Sequence, residues 1–81
     1  RDIVYKVGGT YVEIRFTKYA SKRIAQREVP QESVRRALSY GGRRASHVLW
    51  RILCTYHLSS GRRIRVVYEF HPGYWFVITV Y

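Results

Sequence analysis

The sequence is poor in acidic residues and in residues that hold a metal ion or a disulfide. Asp and Glu number 5 among 81 residues, against 15 Lys and Arg, so the net charge is +10. The single cysteine, Cys54, excludes an intrachain disulfide and a cysteine-based metal site. His47, His57 and His71 lie too far apart in sequence to match the usual spacing of metal ligands on a helix. We therefore predict that the chain uses no metal ion and no other cofactor.

Long apolar runs and methionine are also missing. No segment approaches the roughly 20 apolar residues of a membrane-spanning helix, and no signal peptide is recognisable, so we predict no membrane segment. The absence of Met predicts a chain that is processed or cut from the end of a longer polypeptide. A length of 81 residues predicts one domain, 1–81, with a thin core and no room to enclose a large cofactor.

The positive charge is carried mainly by arginine. Twelve of the fifteen cations are Arg and three are Lys. Arg grips phosphate through two parallel hydrogen bonds and stacks on bases, which Lys does not do. Repulsion among so many like charges destabilises a small fold unless a polyanion binds it. Nucleic acid is the first expectation, an acidic protein partner the second and a merely solvated basic surface the third.

The first third of the chain predicts a β-hairpin. Ile3–Val7 and Thr10–Phe16 are rich in strand-forming residues and flank Gly8-Gly9, a typical two-residue turn. In the second strand Val12, Ile14 and Phe16 alternate with polar residues, so one face of this hairpin is apolar.

Two helices are predicted next. Thr17 is a typical N-cap, and the first helix extends from there to about Glu28. Pro30 starts the second helix, and Gly41-Gly42 ends it with a residue in the left-handed conformation. The loop that follows is expected to carry Arg43 and Arg44, which we expect to bind RNA by long-range attraction to its backbone.

The rest of the chain predicts three strands, at His47–Leu58, Arg62–Phe70 and Tyr74–Tyr81. The connecting loops, 59–61 and 71–73, each have three residues and end in Gly, which is typical of a type I turn closed by a G1 bulge. These strands and the two helices predict an α+β fold of two layers. We expect an antiparallel sheet in the order β-β-α-α-β-β-β, with both helices on one face.

The three-residue loops also predict a register, with Leu58 opposite Arg62 and Phe70 opposite Tyr74. Three rows on one face of the sheet are then apolar: Ile52, Tyr68 and Phe76; Cys54, Val66 and Ile78; and Tyr56, Ile64 and Val80. Two rows on the opposite face carry a mixed polar patch: His57, Arg63 and Tyr81; and Thr55, Arg65 and Thr79.

This patch suits metal-independent RNA cleavage. A base takes the proton of the ribose 2′-OH, which attacks the adjacent phosphorus. Cations stabilise the charge that develops on the phosphoryl oxygens, and an acid protonates the leaving 5′-oxygen. His57 is the expected base or acid, and Arg63 and Arg65 the phosphate clamp. Tyr81 is expected to donate a proton or stack a base, and Thr55 or Thr79 to hold a hydroxyl or phosphate oxygen. Plain RNA binding and an ordinary solvated surface are the alternatives for this patch.

Further RNA-binding candidates lie along the same predicted face. His47 and Arg51 are expected there, with Glu69 opposite Arg51 as a cross-strand ion pair of small energetic weight. Trp75 is expected beside them, either stacking a base or closing the edge of the sheet.

Two segments carry a family resemblance. Phe16–Val34, FTKYASKRIAQREVPQESV, resembles F-T-x-H-A-x-x-R-h-x-x-R-x-h, where h is apolar, and residues 77–81 give the ending V-I-T-V-Y. Over about residues 14–81 the chain resembles RelE/ParE-type toxins, within the barnase/EndoU/colicin/RelE group of ribonuclease toxins. The resemblance implies helices on one sheet face, RNA on the other, and roles for Arg63, Arg65 and Tyr81 on the scissile phosphate.

The helix motif also implies functional residues on the first helix. Arg23 and Arg27 match it and either reach the RNA or pair with Glu13 and Glu28. Tyr19 stands where the family has His, so the role of base passes to Tyr19, to His57 or to His47.

The expected function is a toxin that cleaves RNA, most readily tRNA, in the cytoplasm, neutralised by an acidic immunity or antitoxin protein. As part of a larger effector, for example in contact-dependent growth inhibition, it would be exported and delivered into a target cell. The alternatives are a ParE-like poison without enzymatic activity and a basic RNA-binding module.

Overall fold

A six-stranded sheet, covered on one face by two helices, forms the protein in a computed structural model that describes residues 2–81. The elements are β1 (Asp2–Val7), β2 (Thr10–Phe16), α1 (Lys18–Gln26), α2 (Gln31–Tyr40), β3 (Gly42–Ala45), β4 (Arg51–His57), β5 (Arg63–His71) and β6 (Tyr74–Val80). The order in the sheet is β1-β2-β6-β5-β4-β3. The predicted α+β class is confirmed. We call the face under the helices the helix face and the other the open face.

The sheet differs from the prediction in two respects. It is mixed rather than antiparallel, because β2 and β6 pair in parallel. Only hairpin neighbours must be antiparallel, and these two strands are far apart in sequence. It also has an additional strand, because β3 pairs with β4 where a loop was predicted. Arg43 and Arg44 therefore lie on an edge strand. Residues 46–50 form the hairpin loop, and residues 47–50 of it were predicted to be the start of a strand.

The core lies between the helices and the helix face of the sheet. α1 packs against β6 and β2, and α2 packs against β1, β4 and β5. The fully enclosed residues come from both layers: Ile14, Ala20, Val34, Ala37, Leu38, Cys54, Val66, Tyr68, Val77 and Val80. Burial of this apolar surface is the main stabilising contribution that a chain of this size has.

Gly41 ends α2 for a different reason from the predicted one. Its backbone is extended, with φ −67° and ψ 153°, rather than left-handed. A Cβ atom at Gly41 would lie 2.5 Å from the Ala37 carbonyl oxygen and 2.6 Å from Cys54 Sγ. Glycine is therefore required here because α2 and β4 approach each other too closely for any side chain.

The predicted pairing of β4 with β5 is confirmed. Arg51 lies opposite Glu69, and His57 lies opposite Arg63. The loop between the strands closes as predicted, since the Leu58 N–H donates to the Arg62 carbonyl at 2.8 Å and Gly61 has φ 89°.

The predicted pairing of β5 with β6 is wrong. His71 pairs with Tyr74, so the turn contains two residues, Pro72 and Gly73, instead of three. A Pro-Gly pair suits a tight turn, because Pro fixes its own φ and Gly73 adopts a φ of 85°. This one-residue shift puts Phe76 on the open face opposite Glu69, and it puts Trp75 on the helix face.

A β-bulge then shifts the pairing again. Tyr68 pairs with Val77 but Val67 pairs with Thr79, which leaves Ile78 without a partner on β5. The extra residue lets Val77 and Val80 both point into the core. Thr79 and Tyr81 keep the predicted open face but lie one row further along β5, opposite Val67 and Arg65 rather than Arg65 and Arg63.

Thr17 connects this bulge to the start of α1. Its hydroxyl donates to the Ile78 carbonyl at 2.8 Å and accepts from the Ala20 N–H at 2.9 Å. Its backbone N–H donates to the Val77 carbonyl at 3.0 Å. The predicted N-cap is confirmed, and the same side chain fixes the bulged strand.

We expect the Thr17 hydroxyl to be a main contributor to stability. Thr17→Ala should lower the free energy of unfolding by about 2 kcal/mol, since it removes a cap and leaves a half-buried carbonyl unpaired. Thr17→Ser keeps both hydrogen bonds and should stay within about 0.5 kcal/mol of the parent. Urea denaturation measures both variants. Equal midpoints for them would show that the hydroxyl does not hold the bulge.

Candidate functional site

A concavity of about 540 Å³ lies on the open face, bounded by the β3–β4 loop. Its apolar lining consists chiefly of Leu53, Val67 and Ile78. Its polar and charged lining is Arg44, Ser46, His47, Arg51, Thr79 and Tyr81. A concavity of this size, with an apolar floor and cations around it, fits a nucleobase with its attached phosphate better than a purely ionic ligand.

The end of β6 brings Tyr81 to this concavity. The Arg65 N–H donates to the Tyr81 carbonyl at 2.6 Å, and the Tyr81 N–H donates back to the Arg65 carbonyl at 2.8 Å. The Arg65 guanidinium carbon lies 5.9 Å from the centre of the Tyr81 ring. The C-terminal tyrosine is thus paired on the sheet, and one cation lies close to its ring.

Arg51 joins the concavity to a network on the open face. Its Nε donates to Glu69 Oε2 at 2.9 Å, which confirms the predicted cross-strand ion pair. The other oxygen, Glu69 Oε1, lies 2.8 Å from His71 Nε2, and the His71 ring stacks on Tyr74 with centres 4.9 Å apart. Arg51, and His71 after it, hold the pKa of the Glu69 carboxyl below its ordinary value.

His47 lies in the β3–β4 loop rather than on a strand. The loop is closed by the Ser46 N–H, which donates to the Arg51 carbonyl at 3.0 Å. The Ser46 hydroxyl also accepts from the Val48 N–H at 3.2 Å. These bonds place His47 in the wall of the concavity, on the same side as Arg44 and Arg51.

The predicted catalytic patch is only partly assembled. Thr55 and Arg65 share an open-face row with Tyr81, as a consequence of the pairs on either side of β5. His57 and Arg63 form the next row outward, at the exposed end of the β4–β5 hairpin. The shorter turn and the bulge together account for this separation, because each shifts β6 by one residue and the two shifts move Tyr81 one row away from His57 and Arg63.

The helix-motif residues lie away from the open face. Tyr19, Arg23 and Arg27 belong to α1 or its end, on the covered side of the sheet. The Arg23 guanidinium carbon lies 5.7 Å from the centre of the Tyr19 ring. Glu13, one of the predicted partners of these arginines, instead pairs with Arg15 at 2.6 Å. The structure does not bring this group together with Arg65 and Tyr81.

Two predicted RNA contacts, Arg43 and Trp75, face the helices. Arg43 Nη2 donates to the Leu38 carbonyl at 2.7 Å, where a cation suits the end of a helix. Trp75 stacks on Tyr68 with ring centres 5.2 Å apart, and the Arg43 guanidinium carbon lies 5.8 Å from it. The prediction that Trp75 lies on the open face was wrong, because the turn before it is one residue shorter than expected. Arg43, which was predicted in a loop, lies instead on the edge strand β3.

Sequence reasoning missed the link from Glu69 to His71 and the apolar lining of the concavity. Alternation along β5 puts Glu69 and His71 on one face, so that contact could have been found. The lining could not, since Ile78 reaches it through the bulge.

Within residues 2–81, no group of three or more His, Cys, Asp or Glu side chains is arranged to hold a metal ion. No helix in the same range is long and apolar enough to cross a membrane.

The lowered pKa of Glu69 predicts acid sensitivity. A carboxyl with a lowered pKa binds fewer protons in the folded state than in the unfolded state. The stabilisation that it provides is therefore present at pH values above its ordinary pKa of 4.5 and is lost as the pH falls from there through the lowered pKa. Glu69→Gln should lower stability by about 1 kcal/mol at neutral pH and flatten the loss in acid. Chemical denaturation across pH measures this. The exposed Glu28→Gln variant should keep the parent curve, and a Glu69→Gln variant that also kept it would contradict the prediction.

Comparison with known proteins assigns the chain to a family of unknown function. Residues 16–81 match DUF4258, described as a domain of unknown function. The match begins immediately before Thr17, so β1 and most of β2 precede it. No curated protein and no solved structure matches the chain. The chain belongs to the DUF4258 family.

Proposed function

We propose that the protein is a ribonuclease toxin that binds and cleaves RNA at the concavity of the open face. The observation that carries the proposal is that Arg44, His47, Arg51 and Tyr81 surround the apolar floor of the concavity. The chain that carries this site has a net charge of +10. RNA offers both ligands that such a site suits, a phosphate for the cations and a base for the apolar surface.

The proposed reaction is attack by the ribose 2′-OH on the adjacent phosphorus. His47 accepts the 2′-OH proton as the new P–O bond forms, and Tyr81 protonates the 5′-oxygen as the old bond breaks. The products are a 2′,3′-cyclic phosphate and a 5′-hydroxyl. Proton exchange with solvent then restores both side chains.

The cations stabilise the charge that develops on the phosphoryl oxygens. Arg65 lies beside the Tyr81 ring, and Arg44 and Arg51 line the opposite part of the concavity. Arg51 is held in position by Glu69, which limits the reorganisation needed when the phosphate changes charge. Thr79, also in the lining, suits a hydrogen bond to a ribose hydroxyl or a phosphate oxygen.

The base is assigned to His47 because His57 lies at the exposed end of the β4–β5 hairpin, outside the concavity. His57 and Arg63 then contribute long-range attraction to the RNA backbone rather than proton transfer. Tyr19 has no role in this assignment, since it lies on α1 on the covered side of the sheet.

The proposal extends to substrate and partner. The resemblance to RelE/ParE-type toxins favours a toxin that acts in the cytoplasm and is neutralised by an acidic immunity or antitoxin protein. We favour tRNA over ribosome-bound mRNA, because an effector delivered into another cell must act alone. Charge complementarity makes the open face the expected docking surface of the neutralising protein.

The decisive assay is cleavage of total tRNA and ribosomal RNA by the purified chain in EDTA. We expect the parent to cut RNA and to leave 2′,3′-cyclic phosphate ends. His47→Ala should slow single-turnover cleavage by about 10²–10⁴-fold, because it removes general base catalysis. His57→Ala is the matched control and should cut within about threefold of the parent, since only long-range attraction is lost.

Two outcomes would contradict the proposal. Intact RNA at every enzyme concentration would exclude ribonuclease activity. Growth arrest with intact RNA would then favour a ParE-like poison, whereas harmless expression with salt-sensitive RNA affinity would favour a binding module. Loss of cleavage in His57→Ala with an unchanged His47→Ala would place the chemistry at the end of the hairpin.

A further inference from the structure

The β3–β4 loop presents three consecutive apolar side chains to solvent. Val48, Leu49 and Trp50 are 39%, 74% and 81% exposed. Within residues 2–81, Trp50 has no aromatic or cation–π partner, whereas Trp75 is stacked against the core. A tryptophan this exposed gains little by burial, so its presence calls for a reason outside the fold.

The backbone of Trp50 strengthens this point. Trp50 has a φ of 69°, a left-handed conformation that is unfavourable for a bulky side chain. In the other three hairpin turns the positive-φ positions are occupied by Gly8, Gly9, Gly61 and Gly73. The β3–β4 loop therefore keeps a large aromatic ring where the other hairpin turns use glycine, and such outliers concentrate at functional sites.

The neighbourhood of the loop indicates the chemistry of its ligand. His47 and Val48 of this loop and the adjoining Arg51 line the concavity, and Arg44 faces the same space. An aromatic platform beside cations is the combination with which proteins bind unpaired nucleotides, since every base has a face that stacks. A paired base in a duplex has both faces covered by its neighbours and offers none.

We propose that Trp50 stacks on an unpaired base next to the nucleotide bound in the concavity, so that the substrate is single-stranded or looped RNA. This inference rests on the proposed function and narrows it to a substrate class. It predicts that the protein distinguishes single strands from duplexes through one side chain that belongs neither to the catalytic group nor to the core.

The test uses the full chain and a short 2′-O-methyl oligoribonucleotide, which lacks the attacking hydroxyl and is not cleaved. Dye-labelled single strand and the same strand paired with its complement are titrated at one fixed salt concentration. We expect Trp50→Asn to weaken single-strand binding about tenfold and to leave duplex binding unchanged. Asn tolerates the left-handed conformation, so the thermal midpoint should stay the same or rise.

Leu49→Asn is the matched control, because it removes an exposed apolar side chain from the same loop. It should bind the single strand like the parent. In a Trp75→Phe background, Trp50 is the sole tryptophan, and its fluorescence should be quenched by the single strand and not by the duplex. The titration of dye-labelled RNA, read by fluorescence anisotropy, uses the parent chain, Trp50→Asn and Leu49→Asn, so it does not depend on the folding of Trp75→Phe.

Equal single-strand affinity of Trp50→Asn and the parent would overturn the inference while leaving the ribonuclease proposal intact, and would assign the loop to a protein contact instead. Equal quenching by single strand and duplex would overturn it as well. A parent chain that bound neither RNA would overturn both the inference and the proposed function.

Discussion

The Thr17 hydroxyl is the contact on which the arrangement of the open face depends. It caps α1 through the Ala20 N–H and holds the Ile78 carbonyl at the bulge of β6. The cap requires an oxygen at that position, and the bulge requires a donor, so a hydroxyl satisfies both. Because the bulge adds one residue, Val77 and Val80 reach the core while Tyr81 comes to lie opposite Arg65.

Scarcity of acidic side chains is the second constraint. Glu13, Glu32 and Glu69 are already engaged by arginines of the same molecule. Within the described part of the chain, Arg44 and Arg63 have no carboxylate within ion-pair distance. The open face therefore offers these two cations to an external anion, which is why a polyanionic ligand is the centre of our proposal.

Sequence reasoning succeeded where structure is set by neighbouring residues. The Gly8-Gly9 hairpin, the Thr17 cap, the loop at 59–61 and the pairing of β4 with β5 all follow from local turn and capping chemistry. Gly41 was recognised as the end of α2, but its cause was not, since the obstructing atoms belong to Ala37 and Cys54. The reasoning failed where local chemistry allows two answers, as at 71–73, where the Pro-Gly pair can close a tight turn without His71.

Long-range contacts explain the remaining errors. The bulge at Ile78 depends on a side chain 61 residues earlier, which no pattern within β6 reveals. β3 was not predicted, because its hairpin loop lacks the glycine that marks the other turns and has Trp50 in the left-handed conformation instead. Both errors affect the candidate site, since the bulge determines the position of Tyr81 and the loop carries His47. The open-face identity of Thr79 and Tyr81 was nevertheless predicted, because the turn and the bulge each shift the strand by one residue in the same direction.

The most direct test of where RNA binds is amide chemical-shift mapping of the ¹⁵N-labelled chain with a 2′-O-methyl oligoribonucleotide. We expect the largest changes at Arg44, at residues 46–51 and at residues 79–81. The amides of Tyr19, Arg23 and Arg27 on the covered side should change little. Changes concentrated on α1, with the concavity unaffected, would contradict the assignment of the open face as the RNA-binding surface.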